Sequence, residues 1–506
     1  MAATHPSIPT RNPASQSQNS ASAPSVAAAA RRPPQPPLAS LDPYGIYGTR
    51  TANRMRQARR RRNLQTIGMV LFLVLMMVLW AVVTRMPRRS PVITSDWKID
   101  LMIEPSAPPV WTGDKDGVLL VPTDSGQLWA VEPQREGVAA GRSRPLLAAG
   151  FPLRAQPLVE GNAAYVPCED GTLYAVDWRT GRPLWNYRSN APMTTRPTAI
   201  RVEVPQPQAP PVVRVEAGST ASPNGTPPAT TSPLKSQLIV VAGNDAGQVI
   251  ALAAGTGRVL WQRPTGAPIG NGITTTRDGD GRPLILVPLL SGVASRGGLW
   301  CLDARNGAPL WKFPAPGQTF AAQLSPPAVE VTSVAQRAGK LGGGRVYCAD
   351  DGGNVFCLDL KTGRYRNGKG WMAEAQPVSA ATPHVMLRGE PLFKEYSWGS
   401  RLVVGGNDGG VRCFDARNGN LQWTFEAGDA VRCRPRTLRW GPPNAERDLL
   451  LIGQDGPAIY ILDAHDGSLL WKLHTDGSAF AGPVPTGTSW LTVTGNGVLQ
   501  SFSTPD

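Results

Sequence analysis

The chain has 506 residues, with 51 lysines and arginines against 37 acidic residues, and its formal net charge is +14. Taken alone, this excess suggests a partner with a negative surface, such as a nucleic acid. Glycine (54) and proline (50) together make up about a fifth of the residues, which disfavours a coiled coil, and six cysteines are too few for a disulfide scaffold.

The positive charge is concentrated at the N-terminus. Residues 1–90 contain 13 arginines and one acid, whereas the other 416 residues have a net charge of only +2. Residues 1–62 are rich in Pro, Ala and Ser and lack a periodic apolar pattern, so we predict a disordered cytoplasmic tail. It ends in an arginine collar that finishes with Arg59, Arg60, Arg61 and Arg62. Because no aromatic residue is interleaved there, we interpret the collar as a topology signal and predict no nucleic-acid partner.

A single apolar run follows the collar. Residues 66–84 carry no charge, and 19 residues at about 1.5 Å each nearly cross a hydrocarbon layer of roughly 30 Å. We predict a transmembrane helix over residues 64–86. A buried core helix and a cleaved signal peptide fit less well, because no face is polar and no small-residue cleavage site follows. The excess of arginines before the helix predicts a single-pass inner-membrane protein whose N-terminus is cytoplasmic and whose remainder is periplasmic or extracellular.

The rest of the chain repeats one phrase, seen most clearly as GTLYAVDWRTGRPLW at residues 171–185. Eight copies recur about 51 residues apart, which is the size range of a propeller blade. Each copy resembles two strands joined by an Asp-x-x-[Thr/Asn]-Gly turn, preceded by a further strand and by a proline-containing run typical of a sheet edge. The predicted turn residues are Asp177, Gly181, Asp303, Gly307, Asp359, Gly363, Asp415, Gly419, Asp463 and Gly467.

Four strands per copy predict an all-β, eight-bladed propeller over residues 95–506, with four-stranded blades. The last copy ends after its third strand, so we predict that residues 97–103 supply the fourth strand of the eighth blade and remove the open edges. We expect residues 205–236 to be a disordered insert. This insert and four shorter ones all fall between first and second strands, which makes that face of the ring a candidate partner surface.

The motif Ala175, Asp177, Thr180, Gly181 and Trp185 resembles the repeat of pyrroloquinoline-quinone-type propellers. That family contains quinoprotein dehydrogenases and also non-enzymatic members, such as the propeller lipoprotein of the outer-membrane protein assembly machinery. In the family the tryptophan docks against the neighbouring blade. The resemblance therefore implies a blade-docking role for Trp185, Trp261, Trp311, Trp423 and Trp471. The copy at residues 353–367 keeps the turn but has Asn367 where this tryptophan is expected.

Three cysteines, Cys301, Cys357 and Cys413, occupy the place of Ala175 and are predicted to be small buried packing residues. A disulfide between Cys348 and Cys357 stays open at this point, because sequence does not fix its geometry.

The sequence offers no catalytic motif, and we predict neither catalytic residues nor a metal site. Asp278-Gly-Asp280-Gly resembles part of a calcium loop but lacks the remaining ligands, which favours a hairpin turn. The inner strands carry five arginines, some of which we expect to point into the channel, towards solvent or an anionic ligand: Arg154, Arg196, Arg432, Arg434 and Arg436.

These features favour a membrane-anchored, non-catalytic scaffold that binds another envelope protein or a peptide, with no cofactor. The alternative is a membrane-bound quinoprotein dehydrogenase that oxidises alcohols or sugars with pyrroloquinoline quinone and calcium. Against the alternative, the sequence lacks the adjacent cysteine pair of alcohol-oxidising quinoproteins. Partner identity and oligomeric state stay open.

Overall fold

The structure is a computed structural model. It describes residues 59–60, 64–78, 92–93, 95–113, 117–133, 142–205, 234–270, 272–290, 297–314, 325–330, 344–350, 353–365, 371–374, 392–396, 399–441, 446–486 and 489–503. Most of the expected tail, part of the arginine collar and most of the insert at 205–236 lie outside these residues. The chain divides into two units, Met1–Arg88 and Arg89–Asp506.

In the first unit, residues 59–60 and 64–78 are helical. The large apolar side chains along residues 64–78 are exposed, from 49% at Met76 to 73% at Met77. Within the described part of the chain, no helix is both long and apolar enough to cross a membrane.

Within the described residues, the second unit contains eight sheets that correspond to the eight repeats, seven of four strands and one of five. Two N-terminal strands, β1 (Val92–Ile93) and β2 (Trp97–Asp100), join the blades formed at the end of the chain. Blades 1 to 4 have these strands: β3 (Val110–Trp111), β4 (Leu119–Pro122), β5 (Gln127–Val131), β6 (Ser143–Ala148); β7 (Leu158–Glu160), β8 (Ala163–Pro167), β9 (Thr172–Asp177), β10 (Pro183–Arg188); β11 (Thr198–Pro205), β12 (Leu234–Gly243), β13 (Gln248–Ala253), β14 (Val259–Pro264); β15 (Thr274–Arg277), β16 (Pro283–Leu289), β17 (Gly298–Asp303), β18 (Pro309–Phe313).

Blades 5 to 8 follow the same order: β19 (Ala328–Glu330), β20 (Arg345–Ala349), β21 (Asn354–Asp359), β22 (Trp371–Glu374); β23 (Leu392–Tyr396), β24 (Gly399–Gly405), β25 (Gly410–Asp415), β26 (Leu421–Glu426); β27 (Arg436–Trp440), β28 (Arg447–Gly453), β29 (Ala458–Asp463), β30 (Leu469–His474); β31 (Val484–Pro485), β32 (Ser489–Val493), β33 (Val498–Ser503). Second strands such as β16 are buried along their whole length, whereas residues of the fourth strand β10 are exposed or half-buried, largely in alternation. Continuous apolar runs therefore mark strands covered on both faces.

The predicted ring closure is confirmed. β2 pairs antiparallel with β33, from Trp97 opposite Ser501 to Asp100 opposite Val498, and so becomes the fourth strand of blade 8. The strand is shorter than predicted and ends before Met102, which has a φ of 52°. The sequence did not predict β1, which pairs parallel with β30 as a fifth strand of blade 7.

Among the described residues, the hydrophobic core consists of eight clusters, each lying between two consecutive blades. Ile239 and Val241 of blade 3, for example, pack with Ile285 and Val287 of blade 4. The cluster that joins blade 8 to blade 1 combines Leu491, Val493 and Leu499 with Leu119 and Val121. Burial of apolar surface therefore holds the blades to one another around the whole ring.

Candidate functional site

The third-to-fourth-strand turns adopt one geometry. The Asp177 carboxylate accepts hydrogen bonds from the backbone N–H groups of Arg179 and Thr180, both at 2.9 Å. Gly181 has a φ of 75° and donates its N–H to the Asp177 carbonyl at 2.7 Å. These backbone hydrogen bonds hold the pKa of Asp177 below its usual range. The same carboxylate-to-backbone contact recurs at Asp303, Asp359, Asp415 and Asp463.

A tryptophan from one blade covers the turn glycine of the next blade. Trp185 donates its indole N–H to the Ala254 carbonyl at 2.8 Å, and its ring lies against Gly257. Equivalent bonds run from Trp261 to Ala304 and from Trp311 to Leu360, with Gly307 and Gly363 beneath the rings: 3.0 Å and 2.8 Å. These contacts support the predicted blade-docking role, which stays a prediction until the stability cost is measured.

The docking tryptophan of blade 5 is Trp371, which the sequence analysis missed. It stands opposite Cys357, as Trp185 stands opposite Ala175. Its Nε1 donates to the Ala416 carbonyl at 3.0 Å. Four extra residues precede it, so the expectation that this repeat lacks its tryptophan was wrong. A search for a tryptophan a few positions beyond Asn367 would have found Trp371.

Blade 1 has Arg144 at the position where blades 2 to 5 have a tryptophan. Arg144 stands opposite Ala130, and its guanidinium donates to the carbonyls of Trp178 and Arg179 at 3.0 and 2.6 Å. Trp178 directly follows the turn aspartate, as Ala254 follows Ala253 in the next blade. A guanidinium therefore reaches the carbonyl that an indole N–H contacts elsewhere, and the residue type hides this from a motif search.

The last two predicted docking residues differ from the others. Trp423 lies over Gly467, but within the described residues its Nε1 has no hydrogen-bond partner. Trp471 packs edge-on against Trp440, with ring centroids 5.2 Å apart. Blade 8 takes its fourth strand, β2, from the N-terminal end, so within the described residues no third-to-fourth-strand turn of blade 8 lies beneath Trp471.

Asp303 is the most enclosed of the five predicted turn aspartates, with 1% of its side chain exposed. Arg305 and Arg282 contact its carboxylate at 2.7 and 2.8 Å. Burial alone would raise the pKa, but the hydrogen bonds from the two arginines outweigh it and hold the pKa of Asp303 well below its usual range.

The cysteines are packing residues. Cys301, Cys357 and Cys413 are fully buried, and burial raises the pKa of each thiol to about 12. Cys348 stands opposite Phe356 and faces blade 4, whereas Cys357 stands opposite Tyr347 and faces blade 6. The two thiols lie on opposite faces of one sheet, so the disulfide left open by the sequence does not form.

The structure separates the five inner-strand arginines. Arg196 and Arg434 line a cavity of about 530 Å³ formed by first strands of several blades. Arg154 instead pairs with Glu169 at 2.8 Å, and Arg432 pairs with Asp455 at 3.0 Å. Arg436 begins β27, opposite Leu451. Within the described residues, no group of three or more His, Cys, Asp and Glu side chains lies close enough together to hold a metal ion.

The first-to-second-strand loops are only partly described. Asp278 accepts hydrogen bonds from the N–H groups of Asp280 and Arg282 at 3.0 and 2.8 Å, which is the geometry of a hairpin turn. The loop regions 331–343 and 375–391 lie outside the described residues.

This architecture defines the chain as an eight-bladed propeller with four strands in nearly every blade. A family model described as outer membrane protein assembly factor BamB matches residues 94–366 and 407–506, and the chain belongs to this family. The resemblance inferred from the repeat motif is thereby confirmed.

Comparisons with individual proteins give the same family and fold. The chain is 25% identical to outer membrane protein assembly factor BamB of Burkholderia pseudomallei over 345 residues, which is 68% of each chain. The structure is similar to that of BamB from Moraxella catarrhalis, with a TM-score of 0.52, 15% identity and coverage of 82% and 98%. The quinohemoprotein alcohol dehydrogenase of Comamonas testosteroni also has a TM-score of 0.52, with 12% identity and coverage of 83% and 78%. Both structural likenesses show the fold alone.

Proposed function

We propose that this protein is a membrane-anchored, extracytoplasmic propeller that acts as a non-catalytic protein-binding scaffold in the assembly of envelope proteins. The observation that carries the proposal is the BamB family match, which covers most of the blade-forming residues. The relative from Burkholderia pseudomallei is named for outer-membrane protein assembly, and we transfer that role to this chain by similarity.

The ring geometry supports a scaffold role. Interblade clusters and tryptophan contacts hold the strands from which these loops emerge in fixed positions. In an antiparallel blade the first-to-second loops and the Asp-Gly turns emerge at the same end, so the long insertions share one face. A rigid ring that displays variable loops on one face suits recognition of another protein.

Site-specific photo-crosslinking of the full-length chain in membranes tests this. Crosslinkers at Arg277 and Arg439, next to first-to-second loops, should give discrete adducts with an envelope protein. Matched crosslinkers at Asp124 and Asp245, in the second-to-third turns of the opposite face, should give none. Equal labelling from both faces, or none from either, would contradict the proposal. Stoichiometric binding of pyrroloquinoline quinone with calcium and dye-linked turnover would instead favour the dehydrogenase.

The anchor is the second part of the proposal. Its support is the uncharged run at residues 66–84 and the arginine excess that precedes it, including Arg59 to Arg62. Alkaline phosphatase fused after residue 506 should be active, and the same reporter fused after residue 62 should be inactive. Deletion of residues 64–86 should release the chain from the membrane fraction. An active reporter after residue 62 would reverse the assigned topology.

A further inference from the structure

One level of the channel wall is formed by equivalent residues of successive blades. Thr198 at the start of β11 pairs with Val241, two residues before the glycine that ends β12. Arg436 at the start of β27 pairs with Leu451, again two residues before the glycine that ends β28. Arg196 and Arg434 precede these strand starts by two residues each. They therefore occupy the same level of the wall, within the sequences Arg196-Pro-Thr and Arg434-Pro-Arg.

The two arginines belong to blades 3 and 7, which are four blades apart in a ring of eight. Equivalent positions four blades apart lie on opposite sides of the channel. Both side chains line the same cavity of about 530 Å³, a volume typical of small-molecule sites. Among its described lining residues there is no aspartate or glutamate, while five threonines and a glutamine contribute polar groups.

Arg196 is held in position by its neighbours. Its Nη1 donates to Gln156 Oε1 at 3.2 Å, and Gln156 Nε2 donates to the Pro109 carbonyl at 3.0 Å. On the other side Arg196 bridges to Gly272, where an added Cβ would lie 3.6 Å from Arg196 Nη2 and 3.3 Å from Pro326 Cγ. Gly272 and Pro326 therefore lie beside the guanidinium at the cavity wall.

Guanidinium groups bind carboxylate and phosphate oxygens through paired N–H donors. The neighbouring Arg154 and Arg432 are engaged by Glu169 and Asp455 and do not line the cavity. We propose that the channel binds a small organic anion with two or more carboxylate or phosphate groups, shared between Arg196 and Arg434. This inference does not depend on the scaffold role.

Isothermal titration calorimetry of the full-length chain in detergent tests the site. The probes are citrate and pyrophosphate, with acetate as the monovalent control, all at constant ionic strength. We expect one saturable site for citrate or pyrophosphate and none for acetate. Preference between the two probes distinguishes a carboxylate ligand from a phosphate ligand.

Four variants separate the site from general charge effects. Arg196→Gln and Arg434→Gln should each weaken binding of the preferred probe at least tenfold, and the double variant should abolish it. Arg432→Gln removes the same charge two residues from Arg434 but outside the cavity, and should leave affinity unchanged. Circular dichroism verifies that each variant is folded. Failure of both polyanions to bind, or equal losses in Arg432→Gln and Arg434→Gln, would overturn the proposal.

Discussion

The indole ring of Trp371 lies directly over Gly419 of the next blade, so that a Cβ added to this glycine would be 2.5 Å from Trp371 Cε3. Gly419 also has a φ of 78°, a conformation that side chains disfavour. The glycine of the turn is therefore required twice, by the backbone and by the ring that covers it.

This double requirement predicts the cost of Gly419→Ala. A residue with a Cβ at this positive φ lowers the unfolding free energy by about 1 kcal/mol, and overpacking of the added methyl group against Trp371 lowers it by about 1–3 kcal/mol more. Gly150→Ala is the matched control, since Gly150 has a φ of 77° and open space around the added Cβ. Urea unfolding should show a larger loss of unfolding free energy for Gly419→Ala. Equal losses would mean that the ring contact contributes nothing.

The indole N–H bond predicts a difference between two equally buried tryptophans. Trp311 and Trp423 are each 9% exposed, but only Trp311 has a described acceptor, the Leu360 carbonyl. Trp311→Phe should therefore lower the unfolding free energy by about 1 kcal/mol more than Trp423→Phe, because it alone breaks a buried hydrogen bond. Denaturant midpoints of the two variants test this, and a larger loss for Trp423→Phe would contradict it.

The arginine pair at Asp303 predicts an acid-sensitive contribution to stability. Because the pKa of Asp303 in the folded chain is below its usual value, its stabilisation is complete above about pH 5 and declines as pH falls through about 4 and lower. Asp303→Asn should cost about 2 kcal/mol at pH 7, and its difference from the unaltered chain should shrink towards pH 3. Asp415→Asn is the control for a weaker ion pair, because Arg401 Nη1 lies 3.8 Å from the Asp415 carboxylate, whereas both arginines lie within 2.8 Å of Asp303. A pH-independent difference at Asp303 would refute the assignment.

The burial of the thiols predicts their reactivity. In the native chain at pH 8, maleimide should label Cys433 at most, since this is the half-buried cysteine and the other five are buried. A thiol with a pKa near 12 is almost entirely protonated at that pH, which slows the reaction further. All six should react in urea without reductant. Four or fewer labels in urea would indicate a disulfide within the chain, since each such bond removes two thiols.

The repeat pattern predicted much of the fold. A turn aspartate with a glycine four residues later, such as Asp177 and Gly181, reports a local backbone requirement and is therefore visible in the sequence. The ring closure by residues 97–100 was also predictable, because the last repeat has three strands and the N-terminus supplies one. β1 was not predictable, since two residues carry too little pattern.

Other features could not be predicted, because they depend on strand register or on one residue type replacing another in the same contact. Arg144 replaces an indole with a guanidinium at the same carbonyl, which no motif reveals. Cys348 and Cys357 are close in sequence, but the pairing register places them on opposite faces of the sheet. Arg196 and Arg434 line the cavity, whereas Arg154 and Arg432 do not. This difference depends on where each side chain lies relative to the channel wall, which the sequence alone does not show.

The pairing of β2 with β33 has a consequence for the order of folding. Trp97 meets Ser501, about 400 residues later, so this contact has a high entropic cost of closure and forms after the intervening blades. At about 5–20 residues per second, synthesis of the intervening chain takes on the order of half a minute. Over that period β2 has no partner strand, and the edge of blade 1 has no neighbour from blade 8. A nascent propeller of this kind depends on its final residues to complete the ring, and loss of even the last strand would leave both ends of the ring exposed to other unpaired strands.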